Sequence, residues 1–289
     1  MQCNPRDLWV LIRQTMRSWM ADYAPSMGAA LAYYTVFSMA PLLLIVISVS
    51  GMVFGEEAAR GEIAFQLRSL MGDAGAKAVQ DLLTSVHEPA KDAFATAVGL
   101  LVMFVGATTV FGELQDSLDR IWRVPARVQT RGWLTLIRAR LLSFGMILAI
   151  GFLLTVSLLA SATLKLMGRW FEPVFGGWYV VVSTAEALGS FLLVAAMFAL
   201  IYKTMPRARV QWRDVWTGAL FTSVLFGLGK FVIGLYLGQS GVISGYGAAG
   251  SLVMVLLWVY YSAQIFLMGA EFTWVYANTY GSRKPVTAG

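Results

Sequence analysis

The chain contains 289 residues, of which 58% are hydrophobic and 13% are charged. Soluble domains are nearer to about 45–50% apolar and about 25% charged, so this composition excludes a soluble globular protein and indicates a polytopic membrane protein. Lys and Arg outnumber Asp and Glu by 22 to 16. In a membrane protein this excess reports topology, so no nucleic-acid partner is expected.

Residues 1–25 are predicted to form an amphipathic helix that lies in the membrane interface. The arginines of this segment fall off its apolar stripe, whose members recur at three- and four-residue steps: Trp9, Ile12, Met16, Trp19 and Tyr23. Tryptophan at headgroup depth and arginine toward phosphates are typical of an interfacial helix. A helix that packs on the cytoplasmic side is the alternative.

Residues 26–55 are the first predicted membrane span. Pro41 lies near its middle and lacks a backbone N–H, so the helix is expected to kink or break there. A neighbouring helix, a side chain or a water-filled cavity must then satisfy the freed carbonyl. Pro41 is therefore a candidate for lining a substrate path, together with Tyr34 and Ser38 in the polar cluster before it. The alternative is a kink that only improves packing.

Residues 56–92 are predicted to form short amphipathic helices that face outward between spans one and two. An apolar stripe at helical spacing runs through the segment and is interrupted near Gly72. Seven acidic residues against four basic ones disfavour binding to anionic headgroups. The stripe is therefore expected to pack on the membrane domain or on a partner.

Residues 93–275 are predicted to contain spans two to six, with cytoplasmic connections at residues 112–140 and 203–213 and a cytoplasmic tail at residues 276–289. The spans are placed near residues 93–111, 141–164, 178–202, 215–237 and 245–275, and the chain is predicted to remain helical after span two until Pro125. The two termini and these connections carry 15 Lys and Arg, against 6 in the alternate loops. By the positive-inside rule this bias places both termini in the cytoplasm. The predicted fold class is an all-α polytopic membrane protein with six transmembrane helices.

Glu186 and Lys230 lie inside predicted spans, where charges generally face the bundle interior and count as functional candidates. Glu186 follows the outer-face aromatic residues Trp178 and Tyr179, which puts it about 11 Å below that interface. Lys230 precedes Tyr236 by about 9 Å on a helix that runs the other way. The two side chains are expected to face each other or one outward-opening cavity, as a transport site or as a static ion pair.

Glu271 ends span six on the cytoplasmic side. A carboxylate beside the negative end of a helix needs a cation, and by topology Arg123, Arg207 and Arg209 are the candidates. A structural latch between span six and a cytoplasmic loop is the first interpretation, and a gate is the second.

Glycine is frequent at the end of span five and before span six, between Gly234 and Gly250. Small residues permit helices to approach closely and also permit a re-entrant segment. Ordinary loop chemistry is the alternative.

Three runs together resemble the YihY/BrkB family of bacterial inner-membrane proteins: GAALAYYTVFSMAPLLLIVISV (residues 28–49), LQDSLDRIWRVP (residues 114–125) and YGAAGSLVMVLLWVYYSAQIFLMGAEF (residues 246–272). The resemblance covers nearly the whole chain and implies six spans with both termini cytoplasmic. Some family members were long labelled ribonuclease BN. A role in envelope lipid movement or export is what the resemblance suggests.

The predicted function is transport or export of a lipid or another amphiphilic or anionic envelope compound across the inner membrane. A non-transporting scaffold, or a partner subunit on which an envelope protein docks at residues 56–92, is the alternative. Membrane lipids are the expected partners, and a homo-oligomer is left open.

An enzyme is not expected. A nuclease needs converging carboxylates. The clustered acids are Glu113, Asp116 and Asp119, and each of the two Asp residues is placed to pair with an arginine one turn further on. The single cysteine, Cys3, and the single histidine, His87, cannot form a zinc site without further ligands. The sequence therefore predicts no catalytic residue, no metal and no cofactor.

Overall fold

A computed structural model of the chain describes residues 5–86, 109–125, 178–239 and 249–284. Within these four ranges the chain forms helices and the short segments that join them, and no strand. The helices are α1 (Pro5–Ala21), α2 (Ala24–Phe54), α3 (Glu56–Val86), α4 (residues 109–121), α5 (Trp178–Thr204), α6 (Trp212–Gln239) and α7 (Gly250–Thr279). The predicted all-α class is confirmed for this part of the chain.

Three described helices are long and apolar enough to cross a membrane. Their candidate spans are Ser183–Thr204 in α5, Trp212–Tyr236 in α6 and Leu252–Thr279 in α7. At about 1.5 Å per residue each exceeds the thickness of a hydrocarbon core. They coincide with predicted spans four, five and six. Predicted span three and most of span two lie outside the described residues, so the six-span count and the orientation stay predictions.

The first predicted span is one helix, α2. Its backbone remains α-helical from Ala24 to Phe54, so Pro41 does not break it. Proline removes one backbone N–H donor from the helix, and the helix continues on both sides of Pro41. The chain then passes through Gly55 directly into α3.

The amphipathic segment after α2 is interrupted where the sequence predicts. Gly72 has φ 75° and ψ 176° inside α3, so this element consists of two helices that meet at Gly72. A Cβ at Gly72 would meet no atom within 4 Å, so the backbone conformation is what requires glycine here.

The chain divides into two compact units. The first unit comprises Met1–Ile12, Leu118–Val224 and Gly269–Gly289, and the second comprises Arg13–Ser117 and Leu225–Met268. In the second unit α2, α3 and α7 pack around buried aliphatic side chains, which include Ala32, Val36, Met71, Val79 and Val255. In the first unit Leu11 of α1 packs with Phe272 and Val275 of α7.

Candidate functional site

A cavity of about 280 Å³ in the second unit is lined by Lys230, the cation that the sequence places inside span five. Three helices supply its other lining residues: Arg68, Met71 and Gly72 of α3, Phe231, Gly234 and Leu235 of α6, and Trp258 of α7. The interruption of α3 at Gly72 is thus part of the cavity wall. The sequence singled out Lys230 but gave no sign that α3 would contribute to its surroundings.

The cavity combines two cations with a largely apolar wall. Arg68 has Asp73 at 3.7 Å, but their side chains are 62% and 95% exposed, so solvent weakens this pair. Lys230 is also exposed. Phe231 and Trp258 cover part of the remaining wall. Such a lining suits a molecule that carries an anionic group next to an apolar body.

The other predicted path residues do not line this cavity where their side chains are described. Ser38 is buried in α2. Tyr34 is half-buried and contacts Tyr33 edge to face, with 5.6 Å between ring centroids. The side chains of Pro41 and Glu186 lie outside the described side chains, although their backbones belong to α2 and α5. The pairing of Glu186 with Lys230 therefore stays a prediction.

The predicted latch residues all lie in the first unit. Glu271 is completely buried. The Arg207 guanidinium donates to Asp119 at 2.9 Å, and its backbone N–H donates to the same carboxylate at 2.7 Å. Arg209 offers its backbone carbonyl to another side chain. A latch between Glu271 and these arginines stays a prediction, while the contact of Arg207 with Asp119 was missed because the two are 88 residues apart.

The third latch candidate, Arg123, has a structural role at the end of α4. The sequence predicted that this helix continues to Pro125, but it ends at residue 121. Arg123 adopts φ 52°, and the Val124 N–H donates to the Asp119 carbonyl at 2.9 Å. This is a Schellman-type C-cap, in which a left-handed residue ends the helix. The turn places the Arg123 guanidinium 4.2 Å from the ring centroid of Trp274.

Helices α6 and α7 cross through a reciprocal pair of contacts in the first unit. A Cβ at Gly218 of α6 would lie 1.7 Å from the Thr273 hydroxyl oxygen of α7, and a Cβ at Gly269 of α7 would lie 1.8 Å from that of Thr222 of α6. Each helix thus carries glycine and threonine four residues apart, in antiparallel register. Small residues at this spacing let membrane helices approach closely.

A third helix joins this crossing. The Tyr202 hydroxyl of α5 lies 3.0 Å from the Thr222 hydroxyl oxygen, and both side chains are buried. The Thr222 hydroxyl donates to the Gly218 carbonyl at 2.7 Å, which leaves its oxygen to accept from Tyr202. The polar atoms at the crossing are therefore satisfied inside the protein, as an apolar surrounding requires.

Glu113, near the end of predicted span two, is half-buried on α4. Burial, and secondarily the charge of Asp116 one turn further on, raises the pKa of the Glu113 carboxyl above its usual range. In the described ranges no group of three or more His, Cys, Asp or Glu is placed to hold a metal ion.

These features define a helical membrane protein with long apolar helices and a cation-lined cavity. Residues 15–288 match the family described as Virulence factor BrkB. This match covers nearly the whole chain, so the chain belongs to the BrkB family, and the resemblance deduced from its motifs is confirmed. No solved structure matches the chain.

Curated relatives are named as membrane proteins. A UPF0761 membrane protein of Verminephrobacter eiseniae is 29% identical over 271 residues, covering 92% of this chain and 62% of the relative. One of Pseudomonas aeruginosa PAO1 is 30% identical over 257 residues, 87% of this chain and 59% of the relative. One of Tolumonas auensis is 27% identical, covering 91% of this chain and 86% of the relative. The chain thus spans about three-fifths of the length of the first two.

Proposed function

We propose that the chain transports an amphiphilic anion, such as an acidic lipid or another envelope compound, across the bacterial inner membrane. The observation that carries the proposal is the convergence of Lys230 and Arg68 on a cavity whose remaining wall is largely apolar. A charge within a membrane span is costly and usually serves a substrate or ion path. The two cations are the proposed partners of the anionic group, and the proposal assigns no catalytic chemistry to the chain.

The size of the cavity limits what it can hold. Its volume of about 280 Å³ lies at the lower end of small-molecule sites, which measure about 300–1,000 Å³. This space suits a headgroup but not acyl chains. Apolar side chains of α6 that flank Lys230 are exposed, namely Leu228 at 64% and Val232 at 58%. We propose that the apolar body of the substrate lies along this face of α6 and enters from the bilayer.

The proposal uses the predicted topology, with six spans and both termini in the cytoplasm. Lys230 then lies below the outer interface, at the depth predicted for Glu186. A lone ammonium within a span is unfavourable, so Lys230 needs a counter-ion when no substrate is bound, and Glu186 is the candidate that the sequence predicts. The alternative, a permanent ion pair that holds spans four and five together, predicts a different response to substitution of Lys230.

The decisive experiment replaces Lys230 and follows lipid movement. Proteoliposomes containing the purified full chain receive fluorescent phosphatidylglycerol or phosphatidylcholine, with and without an imposed proton gradient. Dithionite then quenches only the outer-leaflet probe, so the unquenched fraction reports transfer. The wild type is expected to move phosphatidylglycerol faster than phosphatidylcholine. Lys230→Met is expected to lose at least tenfold in rate while keeping wild-type abundance and elution volume.

Two control variants make the result specific. Lys230→Arg keeps the charge and is expected to retain most of the rate. Lys77→Met removes an exposed cation of α3 that does not line the cavity and is expected to change nothing. Equal rates for wild type and Lys230→Met would refute the proposal. Loss of the folded protein in Lys230→Met, with Lys230→Arg folded, would instead identify a structural ion pair.

A scaffold or partner subunit is the second candidate function. The supporting observation is Phe65 of α3, which lies in the segment predicted to dock a partner and is 57% exposed. If the chain only anchors a complex, wild-type proteoliposomes should show no transfer under either condition. In cells, Phe65→Ser should then impair the phenotype of the wild-type chain, whereas Lys230→Met should not.

A further inference from the structure

The first unit contains a larger cleft, of about 740 Å³, where α5 ends, α6 begins and the chain continues beyond α7. Its described lining contains four cations and no acid: Lys203, Arg209, Arg213 and Arg283. The half-exposed ring of Trp212 and the Ser282 side chain also line it. The cleft thus brings together cations from residues 203–213 and from position 283, which lies 70 to 80 positions further along the chain.

The contacts that hold two of these cations, Lys203 and Arg283, do not neutralise their charge. Lys203 donates to the backbone carbonyl of Val210, and Arg283 donates to the backbone carbonyl of Arg209 at 2.8 Å. The Lys203 ammonium lies 5.5 Å from the ring centroid of Trp212, a distance at which the aromatic face also attracts it. Carbonyl and ring contacts position a cation while leaving its full charge to act on a ligand.

Asp214 contacts Ser282, a lining residue of the cleft, without lining the cleft itself. Asp214 is 2% exposed. It accepts hydrogen bonds from the Ser282 hydroxyl at 2.5 Å and from the Ser282 N–H at 3.3 Å. Asp214 thereby fastens the segment beyond α7 to the start of α6, which holds Arg283 in place at the cleft.

The start of α6 adds to the positive potential of the cleft. The N–H groups of Asp214 and Val215 both donate to the Gln211 carbonyl, so the helix begins at Trp212. The first N–H groups of a helix have no partner within it and carry partial positive charge. Because Trp212 and Arg213 line the cleft, this end of a 28-residue helix supports the same sign of charge as the four cations.

We propose that this cleft binds a phosphate ester, and that the natural source is the headgroup of an anionic lipid in the cytoplasmic leaflet. The predicted topology places residues 203–213 in the cytoplasm, where basic pockets between membrane helices bind acidic headgroups. Trp212 is 50% exposed and Trp216, one turn further, is 40% exposed, as expected of aromatic side chains at the membrane interface. The cleft volume falls within the range of about 300–1,000 Å³ for small-molecule sites.

This inference does not rest on the transport proposal, because headgroup binding at the cleft requires no transfer of lipid. The cleft belongs to the first unit and shares no lining residue with the Lys230 cavity. A chain that moves nothing across the membrane would still have the site. The two ideas therefore succeed or fail in separate experiments.

The test measures binding of three probes to the purified full chain in detergent: dioctanoyl phosphatidylglycerol, dioctanoyl phosphatidylcholine and glycerol 3-phosphate. The test variant is Arg209→Gln/Arg213→Gln, in which both altered side chains are exposed. Two cations near a membrane surface contribute roughly 2 kcal/mol, so Kd for phosphatidylglycerol should rise about thirtyfold. The control Arg60→Gln/Lys77→Gln removes two cations of α3 that do not line the cleft and should shift Kd less than twofold.

The probes distinguish the sources of the phosphate group. Binding of phosphatidylglycerol with weak binding of glycerol 3-phosphate supports a lipid headgroup, and comparable binding of both supports a soluble phosphate ester. Equal affinity of the wild type for phosphatidylglycerol and phosphatidylcholine would overturn the proposal. An unchanged Kd in the cleft variant would also overturn it. If the double variant does not fold, Arg209→Gln alone is measured, with an expected rise of about fivefold.

Discussion

Substitution of Gly269 by alanine tests the closeness of the crossing between α6 and α7. The added Cβ would lie 1.8 Å from the Thr222 hydroxyl oxygen and 2.5 Å from the Tyr202 hydroxyl. Both distances are far below van der Waals contact, so the helices must separate or the side chains must change rotamer. Either response strains or removes the hydrogen bond from Tyr202 to Thr222, which measures 3.0 Å.

The expected loss of stability in Gly269→Ala is the sum of three contributions to the free energy of unfolding. Overpacking of a close interface costs about 1–3 kcal/mol, and loss of a hydrogen bond costs about 0.5–1.5 kcal/mol. Alanine regains about 1 kcal/mol over glycine from helix propensity. The control Gly227→Ala lies on the exposed side of α6, where a Cβ would meet no atom within 4 Å, and it receives the same propensity gain. The two variants should therefore differ by about 3 kcal/mol.

The assay is reversible unfolding by sodium dodecyl sulfate from dodecyl maltoside micelles. The chain contains ten tryptophans, so intrinsic fluorescence follows the transition. Gly269→Ala should unfold at a clearly lower detergent fraction than Gly227→Ala, with the wild type between them or close to the control. A difference below about 1 kcal/mol between the two variants would refute the tight crossing, because overpacking alone exceeds that value.

Two further substitutions probe charges that the protein holds near or within its interior. Arg207→Ala leaves the buried carboxylate of Asp119 without its guanidinium partner and should destabilise the protein by about 3 kcal/mol in the same assay. The control Arg209→Ala, at an exposed position, should change stability little. Glu113→Gln tests the raised pKa of that carboxyl, which burial and the charge of Asp116 cause. Because the folded-state pKa is raised, the stability that Glu113 contributes is present below about pH 4.5 and is lost as pH rises through the folded-state pKa. The free energy of unfolding of Glu113→Gln should therefore equal that of the wild type in acid and exceed it at neutral pH.

The helices and their class were predictable because the signals for them are local. The apolar runs of α5, α6 and α7 exceed the length that a bilayer needs, and each can be recognised without knowledge of its neighbours. The interruption of α3 was also predictable, since Gly72 and the acid beside it break an otherwise continuous stripe. Lys230 was singled out because a cation in an apolar run is unusual in any context.

The contacts that organise the first unit were not predictable, because they depend on pairing between distant helices. The glycines between Gly234 and Gly250 were interpreted as close helix approach, a re-entrant segment or loop chemistry, and residues 240–248 of that stretch lie outside the described residues. At Gly234 a Cβ would meet no atom within 4 Å. The close approach occurs at Gly218 and Gly269, each of which has a threonine four residues later. That spacing was visible in both helices. The two motifs form one interface because the helices pack antiparallel with Gly218 opposite Thr273 and Gly269 opposite Thr222, and this register cannot be read from the sequence.

The grouping of the four cations at the cleft was also not predictable, because it too depends on residues far apart in sequence. The cleft cations contribute to the positive-inside bias of the sequence: Lys203, Arg209, Arg213 and Arg283. The positive-inside rule counts the charges of each loop and does not predict which of them lie together in the fold. If they served only topology, they would be expected to extend separately into solvent, where their hydration is most favourable. Instead, backbone carbonyls hold Lys203 and Arg283 at one cleft. These carbonyls position two cations at the cleft without cancelling their charge, and this is the physical reason to look for an anion there.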